Sequence, residues 1–364
     1  MNKNLLYITE SVIPNTNAEI IHVLKICDAF ASKGYNVTIF TPNAFDKYIN
    51  IKKNFNLKNE IKIKSAFKKI KKLNFFLRVV FFLKVKKHVI NKNFNIILSR
   101  SILTSLFLSI YNFTSLLEIH HEMSGITRYI FNFIKIRKKI KNIKLILLHK
   151  NLIKILDPAN YFIKYKVLDD AVNYEEFQIK SDKVYEKTCV YTGSFYKGKG
   201  VEIIEKIASK TPEIKYHLYG DKKFLGKRDF PKNMFFFDYV TYNRVPLILS
   251  SYEVLLMPYN RIVKVRSNIK NVSNYMSPLK LFEYLACGKV ILATDLKVYD
   301  HILKNDYNSY LFDENDIDSW ANKILEIFQN ISKYSKLRAN SIDTAKKYSW
   351  SNRAKEIELL ALEN

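Results

Sequence analysis

The sequence predicts an α/β protein made of two domains, each built on a parallel β-sheet. Apolar strand segments alternate with amphipathic helical segments in both halves of the chain. The chain has 364 residues, which is too many for one ordinary hydrophobic core. Hydrophobic residues make up 48% of the sequence, and this is enough to fill two cores. These three observations together favour two domains over one.

The first half opens with a βαβ unit. NLLYIT is an apolar strand, EIIHVLKICDAFASKG is a helix that stops at Gly34, and NVTIFTP is the next strand. The second half repeats the alternation with the strands TCVYTG, IKYHLYG, YEVLLMP and KVILAT. Helices are predicted after Gly200 and from Pro278. Parallel sheets follow from this order, because each helix carries the chain back for the next strand.

The segment VLDDAVNYEEF is predicted to connect the two domains. The amino-terminal domain is then expected over residues 1–170 and the carboxy-terminal domain over residues 171–345. Residues 346–364, which begin near YSW, are expected to form a helix that packs back toward the first domain.

Cysteine usage and the amino terminus favour a cytoplasmic location. Cys27, Cys189 and Cys287 are far apart and lack metal-ligand spacing, so we expect neither disulfides nor a zinc site. The opening residues MNKNLLYITESVIPN lack the long apolar segment and the cleavage site of an export signal. No segment is typical of a membrane-spanning helix.

The net charge of +26 is concentrated in the first half of the chain. Residues 1–170 carry 30 Lys and Arg against 10 Asp and Glu, whereas the remaining residues carry 30 against 24. From Lys62 to Lys92 the sequence interleaves Lys with Phe, Val and Leu and contains no acid. This pattern favours a pair of helices on an anionic membrane surface. Nucleic-acid binding and a general compositional bias are the alternatives.

The segment MSPLKLFEYLACGKVILATDL combines a helix start with two charged residues. Ser277 is a favourable N-cap, and Pro278 suits the first helical position. Lys280 and Glu283 then share one face near a helix N-terminus, which attracts anions. This arrangement suits a phosphate beside a hydroxyl-bearing group. The alternative is an exposed salt bridge on an ordinary capped helix.

Taken together, the segments resemble the family-4 retaining glycosyltransferases of the GT-B fold, whose two Rossmann-like domains face each other across a cleft. The segments that carry the resemblance, in order, are AEIIHVLKICDAFASKGYNVTIFTP, SLLEIHHE, VLDDAVNYEEF, YTGSFYKGKGVEII, HLYGD, VLLMPY, SPLKLFEYLACGKVILATD and YSW. The resemblance implies transfer of a sugar from a nucleotide diphosphate donor. It covers nearly the whole chain.

The resemblance implies a donor site in the second domain. Lys199 matches the lysine that contacts the diphosphate, and Glu283 matches the second Glu of the family's E-x7-E motif, which binds the ribose hydroxyls. The chain departs from the family at Ser194, where many members have Arg, and at Tyr275, where the first Glu would stand. Other expected donor contacts come from the loop before the helix and from its first turn: Ser277, Leu279 and Lys280. Lysines and helix N–H groups can hold a diphosphate without a metal, so neither a metal nor another cofactor is expected.

The resemblance also implies an acceptor side in the first domain. His120 matches a family histidine near the reacting sugar, although His121 follows it directly. Glu118 stands just before it at a predicted strand end, where α/β sheets present ligands. Arg100, also at a strand end, and Asn17, in place of a Gly-rich turn, are further candidates for the acceptor wall.

The implied function is retaining transfer of a sugar from a nucleotide sugar to a glycan or lipid-linked acceptor, in surface polysaccharide assembly. The implied location is the cytoplasmic face of the cytoplasmic membrane, without nucleic acid as a partner. A nucleotide-sugar epimerase of the same fold and a nucleic-acid-binding α/β protein are the alternatives. Neither first strand is followed by GxGxxG, which argues against a dinucleotide-dependent oxidoreductase.

Overall fold

The structure is a computed structural model that describes residues 3–15, 17–123, 125–136, 142–157, 164–226, 228–263 and 271–363. It divides into two compact units. The first unit contains residues 1–169 and 350–364, and the second contains residues 170–349. The carboxy-terminal residues therefore return to the first unit.

Within the described residues, the first unit is built on a seven-stranded parallel sheet of order β3-β2-β1-β4-β5-β6-β7. Its strands are β1 (Lys3–Ile8), β2 (Tyr35–Thr41), β3 (Lys62–Ser65), β4 (Ile96–Ser99), β5 (Ser115–Ile119), β6 (Ile143–Leu147) and β7 (Tyr165–Val167). The helices between them are α1 (Ala18–Ser32), α2 (Tyr48–Asn54), α3 (Phe75–Ile90), α4 (Ile102–Ile110), α5 (Gly125–Ile136) and α6 (Lys150–Leu156).

The described part of the second unit contains a six-stranded parallel sheet of order β10-β9-β8-β11-β12-β13. Its strands are β8 (Thr188–Thr192), β9 (Lys215–Tyr219), β10 (Met234–Phe237), β11 (Val254–Met257), β12 (Val290–Thr294) and β13 (Tyr310–Phe312). Its helices are α7 (Val201–Lys210), α8 (Val245–Ser250), α9 (Leu279–Cys287), α10 (Ile317–Gln329) and α11 (Ser335–Lys347). The prediction of two parallel-sheet domains is confirmed.

In both sheets the order in which successive strands are added reverses near the middle of the sheet. In the first unit β1 pairs with both β2 and β4, and in the second unit β8 pairs with both β9 and β11. Ligands of open parallel sheets bind beyond the carboxyl ends of the strands at such a switch point. A ligand is therefore expected near the loops that follow β1, β4, β8 and β11.

The last helix, α12 (Trp350–Leu362), belongs to the first unit and packs against α1. Trp350, Ala354, Ile357 and Leu360 are buried, and their spacing places them on one face of the helix. The ammonium group of Lys144 on β6 donates to the carbonyl oxygens of Leu360 and Ala361 at the end of α12, at 3.0 Å in both cases. This lysine satisfies carbonyl groups that a helix C-terminus leaves without partners.

The basic stretch from Lys62 to Lys92 does not form the predicted pair of helices. Its beginning is the edge strand β3, in which Lys62 and Lys64 pair with Thr38 and Phe40 of β2. Only the later part is helical, as α3. Lys62 and Lys64 are exposed on this edge strand, where lysines are a common protection against pairing with other chains.

None of the helices within the described ranges is long and apolar enough to cross a membrane.

Candidate active site

The candidate site of the second unit begins in the loop between β8 and α7. Gly200 ends this loop with φ of +90°, a backbone conformation that residues with a side chain rarely adopt. A Cβ atom at this position would lie 1.7 Å from the carbonyl oxygen of Pro258. The glycine therefore allows the loop to lie directly against the segment that follows β11, at the switch point of the sheet.

The ammonium groups of two lysines lie over the ring of one tyrosine at this switch point. The Lys199 Nζ lies 4.8 Å from the ring centroid of Tyr259, which follows β11. The Lys280 Nζ on α9 lies 5.3 Å from the same centroid and 3.7 Å from the ring centroid of Tyr191 on β8. We call Lys199, Lys280, Tyr191 and Tyr259 the lysine–tyrosine cradle.

Burial makes the cradle favourable for an anion. Desolvation lowers the pKa of Lys199 to about 8. Desolvation and the charge of Lys199 lower the pKa of Lys280 well below its usual value, against the opposing effect of Glu283. Among the described residues, the buried Lys280 Nζ has no hydrogen-bond partner. A bound phosphate would supply both the missing acceptor and the missing negative charge.

Gly193 brings the backbone close to the Lys280 ammonium group. It follows β8 with φ of +144°, and its amide donates to the Tyr219 carbonyl oxygen at 2.9 Å. A Cβ atom at Gly193 would lie 2.7 Å from the Lys280 Nζ. Glycine at this position therefore leaves room for the lysine tip.

Glu283 lies one turn after Lys280 on α9, and its side chain is buried. Desolvation, assisted by the charge of Glu283, raises the pKa of Tyr239 to about 12. The same two causes raise the pKa of Tyr242 well above its usual value. A carboxylate beside phenol groups and near a lysine suits recognition of uncharged hydroxyl groups.

The start of α9 differs from the prediction by one residue. Pro278 is the N-cap, with extended backbone angles, and the helix begins at Leu279. The Ser277 hydroxyl oxygen accepts a hydrogen bond from the Asp170 amide at 2.9 Å. This contact joins Ser277 to a residue 107 positions earlier in the chain.

The other predicted donor residues lie in the same unit. The Ser194 carbonyl oxygen accepts from the Tyr191 hydroxyl at 2.9 Å, which places Ser194 beside the cradle. Leu279 is buried as the first residue of α9, next to Lys280. Tyr275 is also buried, and its amide donates to the Val272 carbonyl oxygen at 3.1 Å. Their contacts with a donor remain predictions.

The second unit also contains an Asp-x-Asp sequence, Asp316-Ile317-Asp318, a pattern that can join a divalent cation to a diphosphate. The structure gives both carboxylates other partners. Asp316 is the N-cap of α10 and accepts from the Ser319 amide at 3.2 Å. Asp318 forms an ion pair with Lys210. These contacts assign the motif to helix capping and to a surface ion pair.

In the first unit, Glu118 on β5 is fully buried and has three polar partners. The Tyr7 hydroxyl donates to its carboxylate at 2.6 Å, the Arg353 Nη2 donates at 2.7 Å, and the His22 Nε2 lies at 3.1 Å. The charges of His22 and Arg353 hold the pKa of Glu118 well below its usual range, although burial alone would raise it. We call Tyr7, His22, Glu118 and Arg353 the Glu118 network.

This burial gives Glu118 a structural position instead of the exposed place that contact with an acceptor requires. The ligand atoms of His22, Glu118 and His120 lie within 4.8 Å of one another, as metal ligands would. The Arg353 guanidinium already neutralises the carboxylate, and a metal ion would have to approach this fixed positive charge. The arrangement therefore supports an ion-pair network more than a metal site.

His120 follows β5 and lies against the Glu118 network. Its ring meets the edge of the His22 ring at a centroid distance of 4.9 Å. Desolvation and the positive charge of Arg100 lower the pKa of His120 well below its usual value, so the imidazole is neutral at physiological pH. Its buried Nε2 has no hydrogen-bond partner among the described residues. Desolvation lowers the pKa of the neighbouring His121 as well.

The two remaining acceptor candidates lie at the carboxyl ends of central strands. Arg100 follows β4, its amide donates to the Ile8 carbonyl oxygen at 2.9 Å, and its Nε lies 3.8 Å from the Glu19 carboxylate. Asn17 is the exposed N-cap of α1 but makes no capping hydrogen bond with its side chain. Thr16, which directly precedes Asn17, lies outside the described residues.

Sequence reasoning missed the partners of the predicted residues. Tyr191 and Tyr259 of the cradle, and His22 and Arg353 of the Glu118 network, were not singled out. Tyr259 ends the segment VLLMPY and Arg353 follows YSW closely, so each lies in or beside a segment that carried the family resemblance. No local pattern distinguishes these residues from ordinary core residues.

Residues 173–347 match the family described as glycosyl transferases group 1. This range includes Lys199, Lys280 and Glu283. The second unit is a glycosyl transferases group 1 domain. The group 1 domain thus contains the whole lysine–tyrosine cradle. A comparison with curated proteins found no match.

Several solved glycosyltransferase structures are similar over the whole chain. A glycosyltransferase from Rickettsia africae ESF-5 has a TM-score of 0.73 at 13% identity, with 100% of this chain and 99% of that chain covered. HepE of Anabaena, solved in complex with UDP-glucose, has a TM-score of 0.69 at 11% identity and coverages of 97% and 98%. WaaG, a glycosyltransferase involved in lipopolysaccharide biosynthesis, has a TM-score of 0.62 at 12% identity and coverages of 99% and 100%. At these identities the likeness shows the fold, and it confirms the predicted GT-B fold.

Proposed function

We propose that this protein is a retaining glycosyltransferase that moves a sugar from a nucleotide diphosphate donor to a glycan or lipid-linked acceptor. The observation that carries the proposal is the lysine–tyrosine cradle at the switch point of the group 1 domain. It combines two desolvated ammonium groups, one of them without a described hydrogen-bond partner, beside the N-terminus of α9.

The donor would bind with its diphosphate at Lys199 and Lys280. The amides of Leu279 and Lys280 in the first turn of α9 would add hydrogen bonds and the favourable end of the helix dipole. Pro278 has no N–H to contribute. Stabilisation of the leaving diphosphate by preorganised cations supplies the electrostatic part of catalysis without a metal ion.

Glu283 would accept hydrogen bonds from the ribose hydroxyls. Its position one turn from Lys280 supports this role, because ribose and diphosphate are neighbours in every nucleotide sugar. The carboxylate would then recognise the ribose and would not act as a nucleophile. The proposed reaction is therefore not a double displacement, which needs a pair of carboxylates. Retention would instead follow from a front-face reaction in which the leaving phosphate helps to deprotonate the acceptor.

In the first unit, the neutral His120 imidazole would accept a hydrogen bond from a sugar or acceptor hydroxyl. Arg100 at the neighbouring strand end would contact the acceptor. Since HepE was solved with UDP-glucose and WaaG takes part in lipopolysaccharide biosynthesis, a uridine nucleotide and a surface polysaccharide are the first choices to test.

A panel of nucleotide sugars, with binding measured by calorimetry and products by mass spectrometry, tests the proposal. We expect one donor to bind the intact protein and Lys280→Met to weaken this binding about ten- to a hundredfold, the worth of a charge-assisted hydrogen bond. Lys297→Met, at an exposed lysine of the same unit, is the matched control. Equal donor affinity in the Lys280 variant, the control and the wild type would reject the cradle as the donor site.

Product analysis separates the proposal from the epimerase alternative. A transferase gives a glycosylated acceptor and free nucleoside diphosphate, whereas an epimerase gives an isomer of the sugar moiety. Epimerised sugar without any glycosylated acceptor would contradict the proposal.

A further inference from the structure

The first unit presents exposed apolar side chains on two helices, α3 and α5. On α3, Phe76, Leu83 and Ile90 are 71%, 52% and 59% exposed. They are spaced seven residues apart, so they lie along one side of the helix. The opposite side of α3 contributes Phe81, Phe82, Val85 and Val89 to the core. The exposed row is therefore additional to the residues that hold the helix in place.

A second exposed row lies on α5. Ile126, Tyr129 and Phe133 are 54%, 78% and 59% exposed, whereas Phe131 and Ile134 are buried. The spacing of three and four residues again places the exposed side chains on one face. Two helices of the same unit thus each have a buried apolar face and an exposed one.

The fold places both rows on the same side of the sheet. The chain passes from β3 to β4, from β4 to β5 and from β5 to β6 in one direction along the sheet. Right-handed crossovers therefore put α3, α4 and α5 on one face. Helix α3 packs against α4, and α4 packs against α5. The Lys86 Nζ lies 3.3 Å from the ring centroid of Tyr111, so the end of α4 continues the surface of α3.

Exposed lysines lie on α3 and on the segments that precede and follow it. Eleven Lys and Arg occur from Lys62 to Lys92, with no acid between Ile61 and Leu117. Most of them are exposed: Lys62, Lys64, Lys68, Lys69, Lys71, Lys72, Lys84, Lys87 and Lys92. We call the exposed rows of α3 and α5 together with these lysines the basic–apolar face.

We propose that the basic–apolar face docks this protein on an anionic phospholipid surface. Exposed apolar rows suit shallow insertion between lipid headgroups, and the lysines around them suit anionic headgroups. A second copy of the chain would bring like charges together. Nucleic acid would use the lysines but would leave the aliphatic Leu83 and Ile90 without a role. Docking does not depend on the sugar chemistry and can be tested without a substrate.

Vesicle sedimentation with the full chain tests the electrostatic part. We expect strong binding to phosphatidylglycerol-containing vesicles at low salt, weak binding to pure phosphatidylcholine vesicles, and a steep loss toward 0.5 M salt as charges are screened. Lys68, Lys69, Lys71 and Lys72 changed together to Gln should weaken binding at least about tenfold, because each surface-bound lysine is worth several-fold in affinity. The control changes four exposed lysines of the second unit to Gln: Lys180, Lys232, Lys297 and Lys336. It should bind like the wild type.

Separate variants test the contribution of the exposed apolar rows on α3 and α5 to vesicle binding. Phe76→Ser with Leu83→Ser, and Tyr129→Ser with Phe133→Ser, should each reduce vesicle binding about tenfold. This reduction should depend less on the salt concentration than the reduction caused by the four lysine changes. Leu247→Ser, at an exposed apolar residue of the second unit, is the control. Since all these side chains are exposed, unchanged thermal unfolding is expected.

Several results would overturn the proposal. These are equal binding to neutral and anionic vesicles, no binding at low salt, and apolar-row variants that bind like the wild type. A dimer in sedimentation velocity that the Phe76 and Leu83 changes abolish would assign the face to self-association. Tight oligonucleotide binding that needs the four lysines but neither apolar row would assign it to nucleic acid.

Discussion

Arg353 and Glu118 form a buried ion pair across 235 residues of sequence, with 2.7 Å between Nη2 and Oε1. The same guanidinium donates through Nη1 to the Leu168 and Asp169 carbonyl oxygens. The pair therefore joins three parts of the first unit: strand β5, helix α12 and the last residues before the second unit begins.

Arg353→Met should strongly destabilise the protein. The change removes one of the two cationic partners of a fully buried carboxylate, His22 being the other, and breaking such a buried pair costs about 3–5 kcal/mol in the free energy of unfolding. Urea denaturation measures the loss. Lys355→Met, at an exposed position of the same helix, is the control and should change the unfolding free energy by less than about 0.5 kcal/mol. A second change, Glu118→Gln, should restore part of the stability; a double variant less stable than the sum of both single losses would contradict the pairing.

Glu283→Ala and Lys199→Ala should each weaken binding of the nucleotide sugar. Loss of a charge-assisted hydrogen bond is worth about 1.5–3 kcal/mol, or roughly ten- to a hundredfold in affinity. Calorimetry on folded variants, checked by circular dichroism, makes the measurement. Comparing UDP with its 2′-deoxy analogue sharpens it, because only Glu283→Ala should bind the two ligands equally. Unchanged affinity in both variants would remove the proposed site.

Donor affinity should fall as the pH rises above about 8. Desolvation lowers the pKa of Lys199 to about 8 in the empty site, and a bound diphosphate raises it again, so binding above this pH must take up a proton. The affinity should therefore fall as the pH rises through the pKa of Lys199, by up to tenfold per pH unit for this lysine, and Lys280, whose pKa is also lowered, should add its own proton uptake. Calorimetry in buffers of different ionisation enthalpy measures the proton uptake directly. Lys199→Met should lose its share of this uptake, and no difference from the wild type would show that another group titrates.

Gly193→Ala should reduce donor binding more than it reduces stability. The new methyl group would lie 2.7 Å from the Lys280 Nζ, and a flexible lysine tip can move away from it. The displaced ammonium group would then be misplaced for the diphosphate, with an expected loss of about tenfold in affinity. Backbone strain at φ of +144° adds a moderate loss of stability. Gly226→Ala, a positive-φ position with no atom near the added Cβ, controls for strain alone.

Activity should survive removal of divalent cations. The two cradle lysines supply the positive charge that a metal ion would bring to the diphosphate, and Asp316 and Asp318 have structural partners. Sugar transfer in excess EDTA, compared with transfer in added magnesium or manganese, tests this expectation. Complete loss in EDTA with recovery on adding metal would contradict the metal-free diphosphate site.

The sequence by itself determined the two parallel-sheet domains, because strand and helix periodicities are local properties of short segments. It also determined the end of α9. Gly288 takes the left-handed conformation that glycine favours after a helix, and the apolar run from Val290 becomes the buried strand β12. The placement of Lys280 and Glu283 one turn apart followed from the same helical spacing.

Only the tertiary structure decided which partners these residues meet. The Asp170 amide donates to the Ser277 hydroxyl oxygen, a contact between residues 107 positions apart that no local pattern predicts. Four phenylalanines in the sequence of α3 have similar neighbours, yet Phe81 and Phe82 fill the core while Phe75 and Phe76 are exposed. The Glu118 network joins residues from β1, α1, β5 and α12. A buried charge needs whichever partner the fold brings near, and sequence periodicity carries no information about contacts between segments that are distant along the chain.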